Sequence, residues 1–259
     1  MHRIAAFILV LFMGSFAGAA LAQTEPAASP ISLAGEQRML AQRIAKLYSQ
    51  IGLNVMPSVA VSQLILATRR FESNLATLQP TAAGSADVRQ AHQRLDGAWQ
   101  NMKQGLATAV SREAAVALAR QAEATLVAAE HLTRVIEDQS KSVDSRLINL
   151  AGRQRMMSQR IANNYLLRSW GIESSAVREA LASSTNDFSA GLAQLRGRQD
   201  NSEALQRELE EVAQQWEWLQ ASLSVEGTGD YRLIVAESAD AILEATDRIS
   251  ALYEKHSQR

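Results

Sequence analysis

Arg38, Gln42 and Arg43 stand four and five residues apart in one run, and Arg155, Gln159 and Arg160 repeat that spacing later in the chain. A guanidinium is always charged and offers planar donors that match a planar oxyanion two at a time. Gln42 and Gln159, one helical turn after the first arginine of each set, add neutral amide donors. Each charge-assisted contact of this kind is worth about 1.5–3 kcal/mol. Two or three acting together suit a ligand held in the micromolar to millimolar range. The chemistry these residues could do is the reversible binding of a small oxyanion.

The two sets belong to one repeated stretch. Residues 31–48 read ISLAGEQRMLAQRIAKLY, and residues 148–165 read INLAGRQRMMSQRIANNY, identical at twelve of eighteen positions and 117 residues apart. Outside the stretch the copies have drifted: residues 49–139 and 166–256 share only sixteen of ninety-one positions. On a helical wheel advancing about 100° per residue, Leu33, Ala34, Leu40, Ala41, Ile44, Ala45, Leu47 and Tyr48 share one arc, the core face. Gly35, Arg38, Met39, Gln42 and Arg43 fall on the other side, as do Gly152, Arg155, Met156, Gln159 and Arg160. Core packing accounts for the first face and not for the second. The second is expected to face away from the core and has two readings: a helix-packing surface, in which Gly35 allows close approach, Met39 fills the gap and the arginines cap loops or pair with acids, or an anion site with Gly35/Gly152 and Met39/Met156 packing around Arg38 and Arg155. Gln37 and Gln154 are polar residues in the apolar arc, and each needs a buried hydrogen-bond partner.

The elements that must position these residues are helices. The chain is 47% hydrophobic and 20% charged with only four prolines, and it is rich in Ala, Leu, Gln, Glu and Arg. The pattern predicts helices over about 31–51, 58–78, 86–106 and 112–139, broken near Gly52/Pro57, Pro80/Gly84 and before Ser111. The second copy has breakers at Gly171, Gly197 and Gly227/Gly229. Amphipathic helices of this length with short connections predict an all-α chain of two tandem antiparallel four-helix bundles, 31–141 and 148–259. Only Gly152 interrupts the helical pattern between Ser111 and Trp170. The last helix of the first module is therefore expected to run into the first helix of the second, stacking the bundles end to end on a shared rod. The polar run Asp138–Arg146 is the alternative, a hinge that would let the modules fold side by side. In that case Arg38 and Arg155 would form a single intramolecular site.

Residues 1–22 read as a cleaved signal peptide: Arg3, an apolar stretch over 4–16 and the Ala20-Leu21-Ala22 cleavage site. Residues 23–30 form a short polar leader. The mature chain is expected to be periplasmic, touching a membrane only through this segment if it stays uncleaved. The absence of cysteine excludes disulfides, thiol catalysis and zinc–thiolate sites, and a net charge of −1 argues against nucleic acid. Trp99 and Trp216 are expected to anchor the cores, with Trp218 nearer the surface. His92, His131 and His256 lack ligand partners at helical spacing, so no metal is expected. No nucleophile motif, phosphate loop or carboxylate pair stands out, and neither enzyme activity nor a cofactor is expected.

The string A-G-x-Q-R-M-x-x-Q-R, present twice, resembles the motif helix of the N-terminal domain of type IV pilus methyl-accepting chemotaxis transducers. That family includes the periplasmic sensor domain of nitrate/nitrite sensor kinases. The resemblance implies a four-helix bundle in which the first motif arginine, one from each of two subunits, contacts the anion. Those positions are Arg38 and Arg155 here, with Arg43 and Arg160 as the second motif arginines. It also implies a sensory module that recognises a small oxyanion, nitrate or nitrite, and feeds a separate signalling partner, since the chain has no kinase or signalling tip of its own. A homodimer or a membrane receptor could supply that partner. The alternative is an interaction protein with no small ligand, whose motif face serves dimerisation or receptor docking. The copies differ after the motif, Lys46-Leu47 against Asn163-Asn164, so two sites need not be equivalent.

Overall fold

A computed structural model describes residues 28–140, 143–225 and 229–257. The expected signal peptide, Gly227 and most of the polar leader lie outside the described residues. Nine helices form among the described residues. The first half holds α1 (Pro30–Gly52), α2 (Pro57–Thr77), the short α3 (Gln79–Ala83), α4 (Ala86–Leu106) and α5 (Arg112–Ser140). The second half holds α6 (Val143–Ser169), α7 (Ser175–Arg196), α8 (Glu203–Leu223) and α9 (Gly229–Ser257).

Local chemistry sets the boundaries. Ser29, Ser85, Ser174 and Ser202 each accept a hydrogen bond from the backbone N–H three residues on, capping α1, α4, α7 and α8. Pro30 and Pro57 open α1 and α2, where a missing N–H costs nothing. Ser29 and Pro30 thus begin α1 and do not belong to an unstructured leader. Gly171 takes a positive φ of 80° just beyond α6, a conformation open to glycine. The sequence reading missed α3, which forms across the Pro80 breaker because proline is tolerated in a first turn.

The shared rod does not form. Arg160 on α6 reaches Glu123 on α5 at 2.8 Å, and Asn149 bonds Glu137. A continuous helix rising about 1.5 Å per residue would hold the first pair tens of ångströms apart. α5 and α6 therefore run back along each other, as the polar run before Arg146 allows. This sets α1 beside α6 in the most extensive helix–helix contact of the molecule. The two run parallel. Arg38 lies against Asn149 and Gly152, Ser49 donates to Asn163 Oδ1 at 3.2 Å, and Gly52 meets Trp170 beyond the C-terminal end of α6.

α2 and α5 pack on α1, and α7 and α9 pack on α6. α4 closes on α5, and α8 closes on α9. One hydrophobic cluster runs through both halves. Trp99 stacks on Phe71 at 4.1 Å, and the equivalent Trp216 meets Phe188 at 4.3 Å. Trp218 is 71% exposed, as its position two residues on implied. Gln37 donates to the Phe71 carbonyl at 3.0 Å, the buried partner its place in the apolar arc required. Its counterpart Gln154 has no partner for either amide atom and lies against Gly191.

The two ends of the α1–α6 contact are not alike. A Cβ on Gly52 would sit 1.8 Å from the Trp170 ring. We expect Gly52→Ala to cost about 1–3 kcal/mol by overpacking in urea unfolding. In a Trp170→Ala background most of that cost should vanish, and a cost that is unchanged there would count against the contact.

Candidate functional site

α1 is buried on nearly every side, and only Glu36 and Arg43 along 31–50 are even half-exposed. The motif face expected to look away from the core is therefore enclosed. Arg38, Gln42 and Gln159 are completely buried, and Arg155 is 6% exposed. Gly35, Gly152, Met39 and Met156 are also buried, while Arg43 and Arg160 are half-buried. The wheel divided the helix correctly, but the other half of the chain covers its second face. A single repeat contains no information about that cover.

Burying cations costs several kcal/mol each unless they are paired. Two helices supply the acids, and they do so with the periodicity of the repeat. Arg38 pairs with Glu130 on α5 at 2.5 Å, and Arg155 pairs with Asp247 on α9 at 2.8 Å. Glu130 and Asp247 are 117 residues apart, and both pairs stay within one half. The second motif arginines cross over. Arg43 reaches Asp240 on α9 at 2.9 Å, and Arg160 takes Glu123 on α5 with two nitrogens, at 2.9 and 2.8 Å. Glu123 and Asp240 are again 117 apart. Each acidic helix thus holds its own half's first arginine and the other half's second arginine, with its acids seven residues apart on one face. At the far ends of the same helices, Glu137 binds Asn149, and Ser29 donates to Glu254 at 3.0 Å. The sequence reading missed these acids. Their signal was present: a carboxylate occurs at both copies of each position.

At the centre the first motif arginines converge. A Cβ on Gly152 would lie 3.1 Å from Arg38 Nη2 and 3.4 Å from Arg155 Nη2. Both nitrogens therefore crowd the bare Cα of Gly152, where a side chain would have to displace them. Gly35 gives Arg38 Nη2 the same room, at 3.0 Å. Arg38 is fully engaged, with Glu130, the Gly35 carbonyl and the Asn149 carbonyl, the last two at 3.4 Å. Arg155 is not: its Nε and Nη2 are buried without partners. Burial pulls the Arg38 pKa down against the pull of Glu130, and Arg153 and Arg155 add to the depression. Burial pushes the Glu130 carboxyl up, but Arg38 overrides it and holds the carboxyl below its ordinary value, with help from Arg153 and Arg134.

The halves differ where the motif copies differ. Lys46 is completely buried, donating to Asp240 at 2.6 Å and to the Ala236 carbonyl at 3.5 Å. Its counterpart Asn163 accepts from Ser49 instead. Gln42 donates to Glu123 at 3.1 Å, whereas Gln159 turns to the Ala239 carbonyl at 2.9 Å. The motif cations (Arg38, Arg43, Lys46, Arg155 and Arg160) thus exceed their acids (Glu123, Glu130, Asp240 and Asp247) by one positive charge. Burial, opposed by Asp240 and reinforced by Arg43, pulls the Lys46 ammonium from 10.5 down to about 8. Among the remaining candidates, buried His92 donates through Nε2 to the Leu75 carbonyl at 2.8 Å. No group of three metal-binding side chains occurs among the described residues.

The structure defines the class as an all-helical bundle that buries a repeated Gly-x-x-Arg face between its two halves. The chain belongs to the type IV pili methyl-accepting chemotaxis transducer N-terminal family, whose model matches residues 19–125 and again residues 139–247. Neither a curated protein nor a solved structure matches the chain. Among the described residues, no helix is long and apolar enough to cross a membrane.

Two measurements test this electrostatic core. Glu130→Gln strips a wholly buried arginine of its counter-charge and should cost about 3–5 kcal/mol in urea unfolding. Asp247→Asn should cost clearly less, because Asp247 is 49% exposed and water screens the loss. Lys46 has a folded pKa below its unfolded one. Its contribution is complete above pH 10.5 and is lost as pH falls through about 8. Stability should therefore rise from pH 8 to 10 relative to Lys46→Met, which removes the slope. Tyr165 and Tyr253, raised mainly by burial, act in the opposite sense only above pH 10.

Proposed function

We propose that the chain is a periplasmic sensory module whose two bundles act as an intramolecular dimer, gripping one small planar oxyanion between Arg38 and Arg155. The observation that carries this reading is the pair of unpartnered donors on Arg155, Nε and Nη2, beside Arg38 Nη2 at the bare Cα of Gly152. Buried donors without acceptors cost about 1–3 kcal/mol each, and an anion between the arginines would satisfy them. Gln42, Arg43, Gln159 and Arg160 then act one step away, holding Glu123, Asp240 and the backbone of α9 so that the acidic helices stay in register. Resemblance to the nitrate/nitrite sensors of the family favours nitrate or nitrite as the anion.

The second reading keeps the sensory family but assigns no small ligand: the motif face exists to join the halves. The complete pairing of Arg38 favours it.

A thermal-shift series on the full chain separates the two. Nitrate or nitrite at tens of millimolar should raise the melting temperature beyond sulfate or chloride, because a ligand that binds only the folded state stabilises it. Arg155→Lys keeps the charge and the Asp247 pair but loses the fork, and it should abolish the specific shift. An equal response to all four anions would sink the oxyanion reading.

A further inference from the structure

A groove of about 770 Å³ lies beside the buried arginines, between α4 and α5 of the first half and α6 and α7 of the second. Its floor includes Leu126, Met156 and Met157, and its rim carries Arg94, Arg134 and Arg153. Arg94 and Arg153 are exposed, and no hydrogen bond or ion pair engages either. Arg134 has only a 3.9 Å contact with Glu130. Of the acids on the wall, Glu123 and Glu130 are already committed to Arg160 and Arg38. Asp187 alone remains to balance the rim.

The repeat supplies an internal comparison. The same positions 117 residues away lie on α8, α9, α1 and α2, along the opposite side of the molecule. There Arg94 becomes Glu211, Arg153 becomes Glu36, Arg134 becomes Ala251 and Asp187 becomes Arg70. The charges on that side cancel in place. Glu36 pairs with Arg70 at 3.1 Å and accepts from Asn74 at 2.7 Å, and Glu211 pairs with Arg248 at 2.9 Å. One side of the fold thus pairs its charges in place, whereas the other leaves Arg94 and Arg153 unpaired beside a methionine floor.

We propose that the α4–α7 groove is a second ligand site, specific to one side of the molecule, for an amphipathic organic anion. Its acidic head meets Arg94, Arg134 and Arg153, and its apolar body lies on Met156 and Met157. The volume is that of a small-molecule pocket. Methionine side chains adapt to apolar bodies of differing shape. The groove is distinct from the Arg38–Arg155 site, and nitrate, with no apolar body, does not fill it.

The test uses 8-anilinonaphthalene-1-sulfonate, an aromatic body with one anionic head, titrated by fluorescence into the full chain. The wild type should bind one equivalent, more weakly as salt rises. R94E/R153E installs the residues of the opposite side and should weaken binding by at least about tenfold, the equivalent of one charge-assisted contact. R94Q/R153Q should fall between, and R94K/R153K should stay near wild type. Wild-type binding by R94E/R153E, or no binding by the wild type, overturns the proposal. The readout does not depend on nitrate, so failure of the oxyanion reading leaves this result intact.

Discussion

Everything in this molecule depends on burying a charged helix face. α1 and α6 meet along surfaces that carry two arginines each, and a lysine on one side. Such a contact is stable only if acids reach into it from elsewhere. The pairing requirement places α5 and α9. Each must sit where one acid meets an arginine of its own half and another, two turns along, meets an arginine of the other half. That crossing fixes the parallel register of the two motif helices and draws both halves into one hydrophobic cluster. It also explains the uneven drift of the repeat. The motif arginines are tied to acids in both halves, and Gly152 makes room for an arginine from each, whereas the outer helices need only remain amphipathic.

The helices were legible because their signals are local. Glycine and proline breakers and apolar positions at three- and four-residue spacing placed α1, α2, α4 and α5 within a residue or two. Trp99 and Trp216 were legible as anchors because both copies keep them amid apolar spacing. What failed depended on tertiary context. The absence of a strong breaker between α5 and α6 suggested a rod, but helix propensity is a weak preference, and the burial of two motif faces outweighs it. The outward face of Arg38 and Arg155 was misjudged for the same reason, since polarity on a wheel cannot distinguish water from a partner bearing acids. The acids themselves were within reach, as Glu123 and Asp240, and Glu130 and Asp247, are carboxylates kept at the repeat offset.

A tandem pair differs from two copies of one chain in that its halves can diverge. Lys46 faces Asp240 while Asn163 serves Ser49, so the centre carries one more positive charge than its acids balance. Trp170 covers Gly52 where the helices end, and its counterpart in the first half is Leu53, which carries no ring. The rim positions of the α4–α7 groove and their repeat counterparts carry opposite charge patterns. Each difference breaks a symmetry that a homodimer would be bound to keep, and each lies on or beside the contact between the halves. Divergence there turns a symmetric scaffold into one with a preferred side.

The central claim is that two motif arginines from one chain make one anion site. Calorimetric titration of nitrate into the purified chain, with the oligomeric state measured in the same buffer, tests it most directly. The account predicts one nitrate per monomeric chain. Two per chain would mean independent sites in each half, one per two chains would mean a site built by dimerisation, and no binding would mean that the buried arginines only hold the halves together. Any of these would contradict it.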